Sequence, residues 1–228
     1  MPRIARVVAV GYPHHVTQRG NYGQTVFLDD GDREKYLMWM QEYSNKFGTS
    51  LLVYSLMTNH VHFIGIPDRE DSLAKTFSAA HMRYSQYFNK KMGANGHLWQ
   101  GRFYSCVLDD NHLMAAAKYI ERNPVRAKLV EKPWGWKWSS ASIHIGCECN
   151  RIIEVKDLFG IIDIKKEEWK IYIDSEDNEE DIKEIKRLTM LGRPLGEEQF
   201  IKDLEQKFGR RIIALPIGRP KKEQIVEK

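Results

Sequence analysis

Two β-rich runs, SLLVYSLM at residues 50–57 and HVHFIGIP at 60–67, are separated only by Thr58 and Asn59. Two polar residues are too few for a crossover, so the runs must pair as an antiparallel hairpin. Upstream, Tyr36, Leu37, Met40, Tyr43 and Phe47 recur at helical spacing, with Asp-Asp-Gly-Asp before them to start a helix and Gly48 after them to stop it. Downstream, helical periodicity returns over 72–91 and breaks between Gly93 and Gly96. Outside these helices, 14–20 alternates as a strand leading into a loop with Gly20, Asn21 and Gly23, and 97–108 reads as a fourth strand. The order β-α-β-β-α-β predicts an α+β fold of ferredoxin-like, split βαβ type, an antiparallel sheet with its helices on one face. Another helix is expected from a cap at Asn111 to about Asn123, where Pro124 closes it.

The chain has 228 residues, 42% of them hydrophobic, enough for one principal core and an appendage. We expect residues 1–142 to form the main domain and 143–228 a mostly helical extension. The Trp-rich stretch at 133–146 reads as a strap packed on the body, 179–191 as a helix, and Phe200, Leu204 and Phe208 as one helical face. IGRPKK at 217–222 is a weak match to a minor-groove hook and equally suits a disordered basic end. A net charge of +4 permits a polyanionic partner without demanding one. Basic residues spread through 1–132, whereas DSEDNEEDIKE at 174–184 concentrates acid and is expected to be a solvated helix face, so the N-terminal body is the expected polyanion binder. Cys106, Cys147 and Cys149 are too few and too unevenly spaced for a zinc framework, which favours a reducing compartment. No apolar run reaches about 18 residues, so a cytoplasmic, soluble protein is expected.

His60 and His62 are the costly feature of the hairpin. Residues i and i+2 of a strand share a face, so the two imidazoles project side by side, roughly 6 to 7 Å apart at Cα, while Val61 and Phe63 face the other way. Such a pair can converge on one cation, or can be sheet histidines satisfied by backbone and water. Tyr119 and Asn123 are four apart on the expected helix and share one of its faces. If that face meets the histidines, Asn123 adds an oxygen donor, and an N/N/O set with open positions suits Mg²⁺ or Mn²⁺ better than structural zinc. Read alone, Tyr119 is as easily a core aromatic.

The stretches MPRIARVVAVGYPHHVTQRGN (1–21), MTNHVHFI (57–64), LWQGRF (98–103) and YIERNPVRAKLV (119–130), in this order, resemble the REP-associated tyrosine transposases. These are a branch of the single-tyrosine, His-hydrophobic-His transposases. The resemblance covers about residues 1–142, and four motifs together are far more specific than any one. It implies His60 and His62 as metal ligands, Asn123 as the third and Tyr119 as nucleophile; because related families use Gln, Gln100 and Gln199 stay open as alternatives for the third ligand. GRPLG at 192–196 also recurs in extensions of relatives. The implied activity is metal-dependent cleavage of single-stranded, hairpin-forming DNA through a 5′-phosphotyrosine, and rejoining by the reverse reaction. As DNA contacts the sequence offers Thr17, Arg19 and Asn21 at the end of the first strand, Arg83, Arg102, and the Arg122, Arg126 and Lys128 cluster. Two rivals are a metal-dependent nuclease that uses water and a non-catalytic single-stranded nucleic-acid binder. A monomer is favoured over a dimer, because the extension would cover surface that relatives use to pair.

Overall fold

The computed structural model of the protein describes residues 6–147 and 152–213. Cys149 and the basic end at 217–222 lie outside the described residues. Strands β1 (His14–Arg19), β2 (Thr49–Leu56), β3 (His60–Pro67) and β4 (Tyr104–Val107) form one antiparallel sheet in the order β2-β3-β1-β4. Helices α1 (Asp30–Phe47) and α2 (Ser72–Met92) connect them as split βαβ units. Asp29 caps α1 by accepting from the Asp32 amide, and Gly48 ends it at φ 68°, a left-handed conformation that only glycine adopts cheaply.

Strand alternation sorts the side chains. Val16, Val61 and Phe63 face α1 and α2, where they meet Tyr36, Met40, Phe77 and Tyr84 in one core. The crossover helices thus share one face, as expected. The other face is covered too. There α3 (Asp110–Glu121) lies on β2 and β3, continued by the single turn α4 (Asn123–Arg126), and α7 (Glu179–Leu191) lies on β4 and β1. A short helix α5 (Ala141–His144) and α6 (Lys166–Asp174) fill in behind α3, and this second core joins Ile64, Cys106 and Ile120 to Trp169, Ile185 and Leu188. Helix α8 (Glu198–Phe208) packs Phe200, Leu204 and Phe208 against Val7, Ala9 and Val107, the face its spacing predicts. Among the described residues no helix is long and apolar enough to cross a membrane.

Three sequence expectations change. The fourth strand is only four residues long, because Gly96 (φ 111°) and Gly101 (φ 68°) turn the chain into a loop. That loop is tied to the end of β1 by Gln100 N–H to the Arg19 carbonyl (2.8 Å) and by Asn21 N–H to the Leu98 carbonyl (2.8 Å). Helix α3 is capped by Asp109, which accepts from the His112 amide at 2.8 Å, rather than by Asn111. The acidic run is not simply a solvated face, since Asp177 accepts from Arg122 (3.0 Å) and Arg126 (3.1 Å) and Asn178 caps α7. It is the seam where the extension docks.

The Trp-rich strap is ordered, with Trp138 buried and its indole donating to Asp30. Behind it the fully buried Glu121 carboxyl binds Ser140 Oγ (2.6 Å), His144 Nδ1 (2.6 Å) and Trp169 Nε1 (3.1 Å), tying α3 to the strap and to α6. Glu121→Ala leaves the buried His144 and Trp169 donors without an acceptor and Ser140 with only the Tyr54 carbonyl at 3.4 Å, and should lower unfolding free energy by about 3 kcal/mol or more in urea titrations; a loss below about 1 kcal/mol would show that the knot is dispensable. Two buried histidines make a separate prediction. Burial brings the His14 pKa down to about 4 against a small opposing pull from the Tyr12 carbonyl, and burial brings His81 to about 3. Both folded values lie below the unfolded value of about 6.5, so the unfolded chain takes up protons first as pH falls. Their contribution to stability is fully present above about pH 6.5 and is lost progressively toward pH 4 and below. Urea midpoints measured between pH 7.5 and 4.5 should fall with acidification, and a flat profile would contradict this.

Candidate active site

The face of the sheet turned toward α3 and α7 carries the functional side chains. In the β1–β3 register Arg19 stands opposite His60 and Thr17 opposite His62, and His15 stands opposite Cys106 of β4. Tyr119 of α3 lies edge-on above them, its ring centroid 5.5 Å from that of His62 and 5.8 Å from that of His15. His15, Thr17, Arg19, His60, His62 and Tyr119, together with Asn123 of α4, Gln100 of the 97–103 loop and Lys186, Thr189 and Met190 of α7, line a pocket of about 370 Å³.

Both motif histidines are held neutral at pH 7. Burial, then the nearby Arg19 guanidinium, brings His60 down to about 4. His62 is pushed well below the ordinary imidazole value by burial, then by His60, His15, Arg126 and Lys186. A neutral imidazole keeps one lone pair for a cation. At His60 that nitrogen can be identified: Asn59 donates its amide N–H to the Gly23 carbonyl (3.0 Å), which turns its oxygen toward His60 Nδ1 at 2.7 Å. His60 therefore donates from Nδ1, and Nε2 carries the lone pair.

Tyr119 is 6% exposed, and burial raises the pKa of its phenol, with Asp177 adding to the rise; Arg126 and the Asn123 amide pull the other way. The Arg126 guanidinium lies 4.5 Å from the ring centroid and also donates to the Tyr119 carbonyl. The Asn123 amide nitrogen is buried and makes no hydrogen bond of full geometry; it faces the Tyr119 phenol closely enough to favour its phenolate, and is a polar group still open to a ligand. Among the described residues no cluster of three or more His, Cys, Asp or Glu is placed to hold a metal ion. A divalent cation held here would need the amide oxygen of Asn123 or Gln100 beside His60 and His62, an N/N/O donor set whose chemistry fits Mg²⁺ or Mn²⁺.

Of the other residues singled out in the sequence, Thr17 and Arg19 line the pocket, with the Thr17 hydroxyl committed to the Val61 carbonyl (3.0 Å). Asn21 lines a second pocket of about 430 Å³ with His97 and Trp99, and Arg102 is exposed on the same loop. Arg122 and Arg126 are bound to Asp177, and Lys128 is exposed at φ 57°. Arg83 is exposed on α2, on the opposite face of the sheet, with its guanidinium 5.8 Å from the Trp39 ring. Gln199 is bonded to Asp203 on α8 and does not line the pocket, whereas Gln100 does. From sequence Asn59 reads as a turn residue only, and nothing there brings Lys186 or Thr189 to this site. Their spacing of three on α7 marks a shared helix face, but nothing local says what that face meets.

The sequence pattern of the family described as "Transposase IS200 like" matches residues 9–123. Among solved structures, the chain is similar to a REP-associated tyrosine transposase bound to a REP hairpin, at 17% identity and a TM-score of 0.53, over 69% of this chain and 93% of that one. At that identity the likeness speaks for the fold alone. It also matches a Deinococcus radiodurans R1 protein crystallised as a candidate transposase, at 19% identity and a TM-score of 0.36, over 53% of this chain and 97% of that one, too low a score to add to the case. No curated protein matches. A match over half the chain, spanning the β1 face, both motif histidines and the helix that carries Tyr119, shows that the chain belongs to the IS200-like transposases, a family of DNA-processing enzymes.

Proposed function

We propose that the protein is a metal-dependent endonuclease and strand transferase for single-stranded, hairpin-forming DNA, with Tyr119 as nucleophile and with His60, His62 and Asn123 holding Mg²⁺ or Mn²⁺. The observation that carries this reading is the meeting in one pocket of Tyr119, Asn123 and two neutral imidazoles drawn from α3, α4 and β3. A cation bound there would polarise the scissile phosphate and offset the charge that develops on it. Tyr119 Oη attacks phosphorus, the bond from phosphorus to the 3′ oxygen breaks, and the proton lost by the phenol ends on the 3′-hydroxyl. The product is a 5′-phosphotyrosine, and attack by a 3′-hydroxyl reverses the step and rejoins strands without a further energy source. Arg126 and Asn123 favour the phenolate against the burial that opposes it.

Arg19, Thr17 and Lys186 stand around the pocket where a phosphate would sit, and Asn21 and Arg102 extend the contact surface along the neighbouring loop. Arg122 and Arg126, bound to Asp177, act through the field they set at the pocket, while Lys128 is free to meet a backbone beyond α4. Arg83 reaches DNA only where a stem wraps around α2. Hairpin DNA as the ligand rests on the likeness to a transposase bound to such a hairpin. We assign the nucleophile and the metal-holding residues to residues 1–142, with α7 closing the pocket, acting in a monomer.

The burial of Tyr119 favours one rival, a nuclease in which water attacks and the tyrosine stays neutral. Incubation with Mn²⁺ and end-labelled single-stranded hairpins, read on denaturing gels, separates the two. Wild type should give cleavage and an SDS-resistant labelled adduct; Tyr119→Phe should lose both while binding the same DNA within about tenfold, the worth of one hydrogen bond. Cleavage that survives Tyr119→Phe with no adduct would establish the water-using nuclease. EDTA should stop cleavage and added Mn²⁺ restore it, with His62→Ala needing a higher Mn²⁺ concentration for the same rate; cleavage indifferent to EDTA would remove the metal from the reading.

A further inference from the structure

One hydrogen-bonded chain runs from the pocket into the extension. His62 Nδ1 lies 2.9 Å from His15 Nε2, His15 Nδ1 lies 2.8 Å from Thr189 Oγ1, and Thr189 Oγ1 lies 3.2 Å from Cys106 Sγ. All four side chains are buried, and the two imidazoles stack with planes 12° apart. A neutral imidazole has one N–H, so the two links through His15 must point the same way, while the Thr189 hydroxyl, with one proton and two lone pairs, can meet sulfur as donor or acceptor in either sense. In one sense His62 donates from Nδ1 to His15, and His15 donates from Nδ1 to Thr189. His62 Nε2, the ring nitrogen turned away from His15, then carries a lone pair. In the opposite sense His15 donates from Nε2, and His62 is forced to hold its proton on Nε2, where it cannot bind a cation.

We propose that His15 and Thr189 are positioning residues of the metal centre: Thr189, as acceptor for His15 Nδ1, holds the chain in the sense that leaves His62 Nε2 free for a divalent cation. The inference rests on the reading of His62 as a metal ligand and deepens it. It makes α7, which lies beyond the family-matched residues 9–123, part of the site. Without the hydroxyl, His15 Nδ1–H is buried with no acceptor. The imidazole then moves its proton to Nε2, where His62 Nδ1 can accept it, and the His62 tautomer flips. Loss of such an outer partner weakens metal binding by about 10- to 100-fold.

The test uses the full chain without DNA. Long-range ¹H–¹⁵N spectra of ¹⁵N-histidine-labelled protein report each ring tautomer, with His62 assigned by its absence in His62→Ala, and electron paramagnetic resonance titration reports Mn²⁺ binding. Wild type should show His62 protonated on Nδ1. Thr189→Val should move that proton to Nε2 and weaken Mn²⁺ binding by about 10- to 100-fold, and Thr189→Ser should restore both. A purely structural role for Thr189 predicts a lower melting temperature with the wild-type tautomer unchanged. Wild-type His62 protonated on Nε2, or Thr189→Val binding Mn²⁺ as wild type does while His62→Ala does not, would overturn the inference and leave the metal reading standing. His62→Ala binding Mn²⁺ as tightly as wild type would instead overturn the metal reading itself.

Discussion

The period-two alternation of β1 and β3 is the constraint on which the rest depends. It lets eight consecutive residues of β3 bury Val61 and Phe63 beneath α1 and α2 while presenting His60 and His62 to the opposite side. A slip of one residue would drive both imidazoles into the Tyr36–Phe77 core and turn Val61 and Phe63 into the polar pocket beneath α3, so the pairing register is enforced by burial. The same alternation on β1 sets Thr17 and Arg19 opposite the histidines. Neither strand needs any special conformation to build the site.

Charge completes what the sheet begins. Arg126 and Lys186 approach His62, and Arg19 approaches His60, so the positive field that disfavours protonated imidazoles comes from both sides of the pocket. Asp177 tempers this by binding Arg122 and Arg126, and the guanidinium it holds is the one that lies over Tyr119. The seam between α3 and the extension therefore tunes the phenol from behind. An acidic residue far along the chain takes part in setting the electrostatics of a tyrosine it does not touch.

What local pattern encodes was legible in the sequence: the hairpin around Thr58 and Asn59, the helices ended by Gly48 and Gly93, the α7 span, and the α8 face of Phe200, Leu204 and Phe208. Strand alternation and helical spacing were also enough to put His60 with His62 and Tyr119 with Asn123. Apart from the α3 cap, which is local, the misses share one cause, since each depends on docking between distant segments. β-like composition over 97–108 hides a loop bent by two glycines and pinned to β1. The acid of 174–184 looks solvated until Arg122 and Arg126 are brought against it. Asn59 reads as a turn former because its second task depends on where Gly23 lies. The GRPLG stretch follows the same logic: Leu195 bridges Leu108, and a Cβ on Gly196 would stand 2.3 Å from the Phe200 ring, so a bare backbone is needed for α8 to fold back.

The hydrogen bond between His15 and Thr189 spans 174 residues of sequence. At ribosomal speeds of about 5 to 20 residues per second, roughly ten to thirty seconds separate the synthesis of the two partners. During that interval the sheet, its histidines and Tyr119 can all have emerged while the wall supplied by α7 does not yet exist. A nascent chain thus carries every residue of the family motifs before α7 has supplied Lys186 and Thr189, and the pocket is the part of the fold completed late.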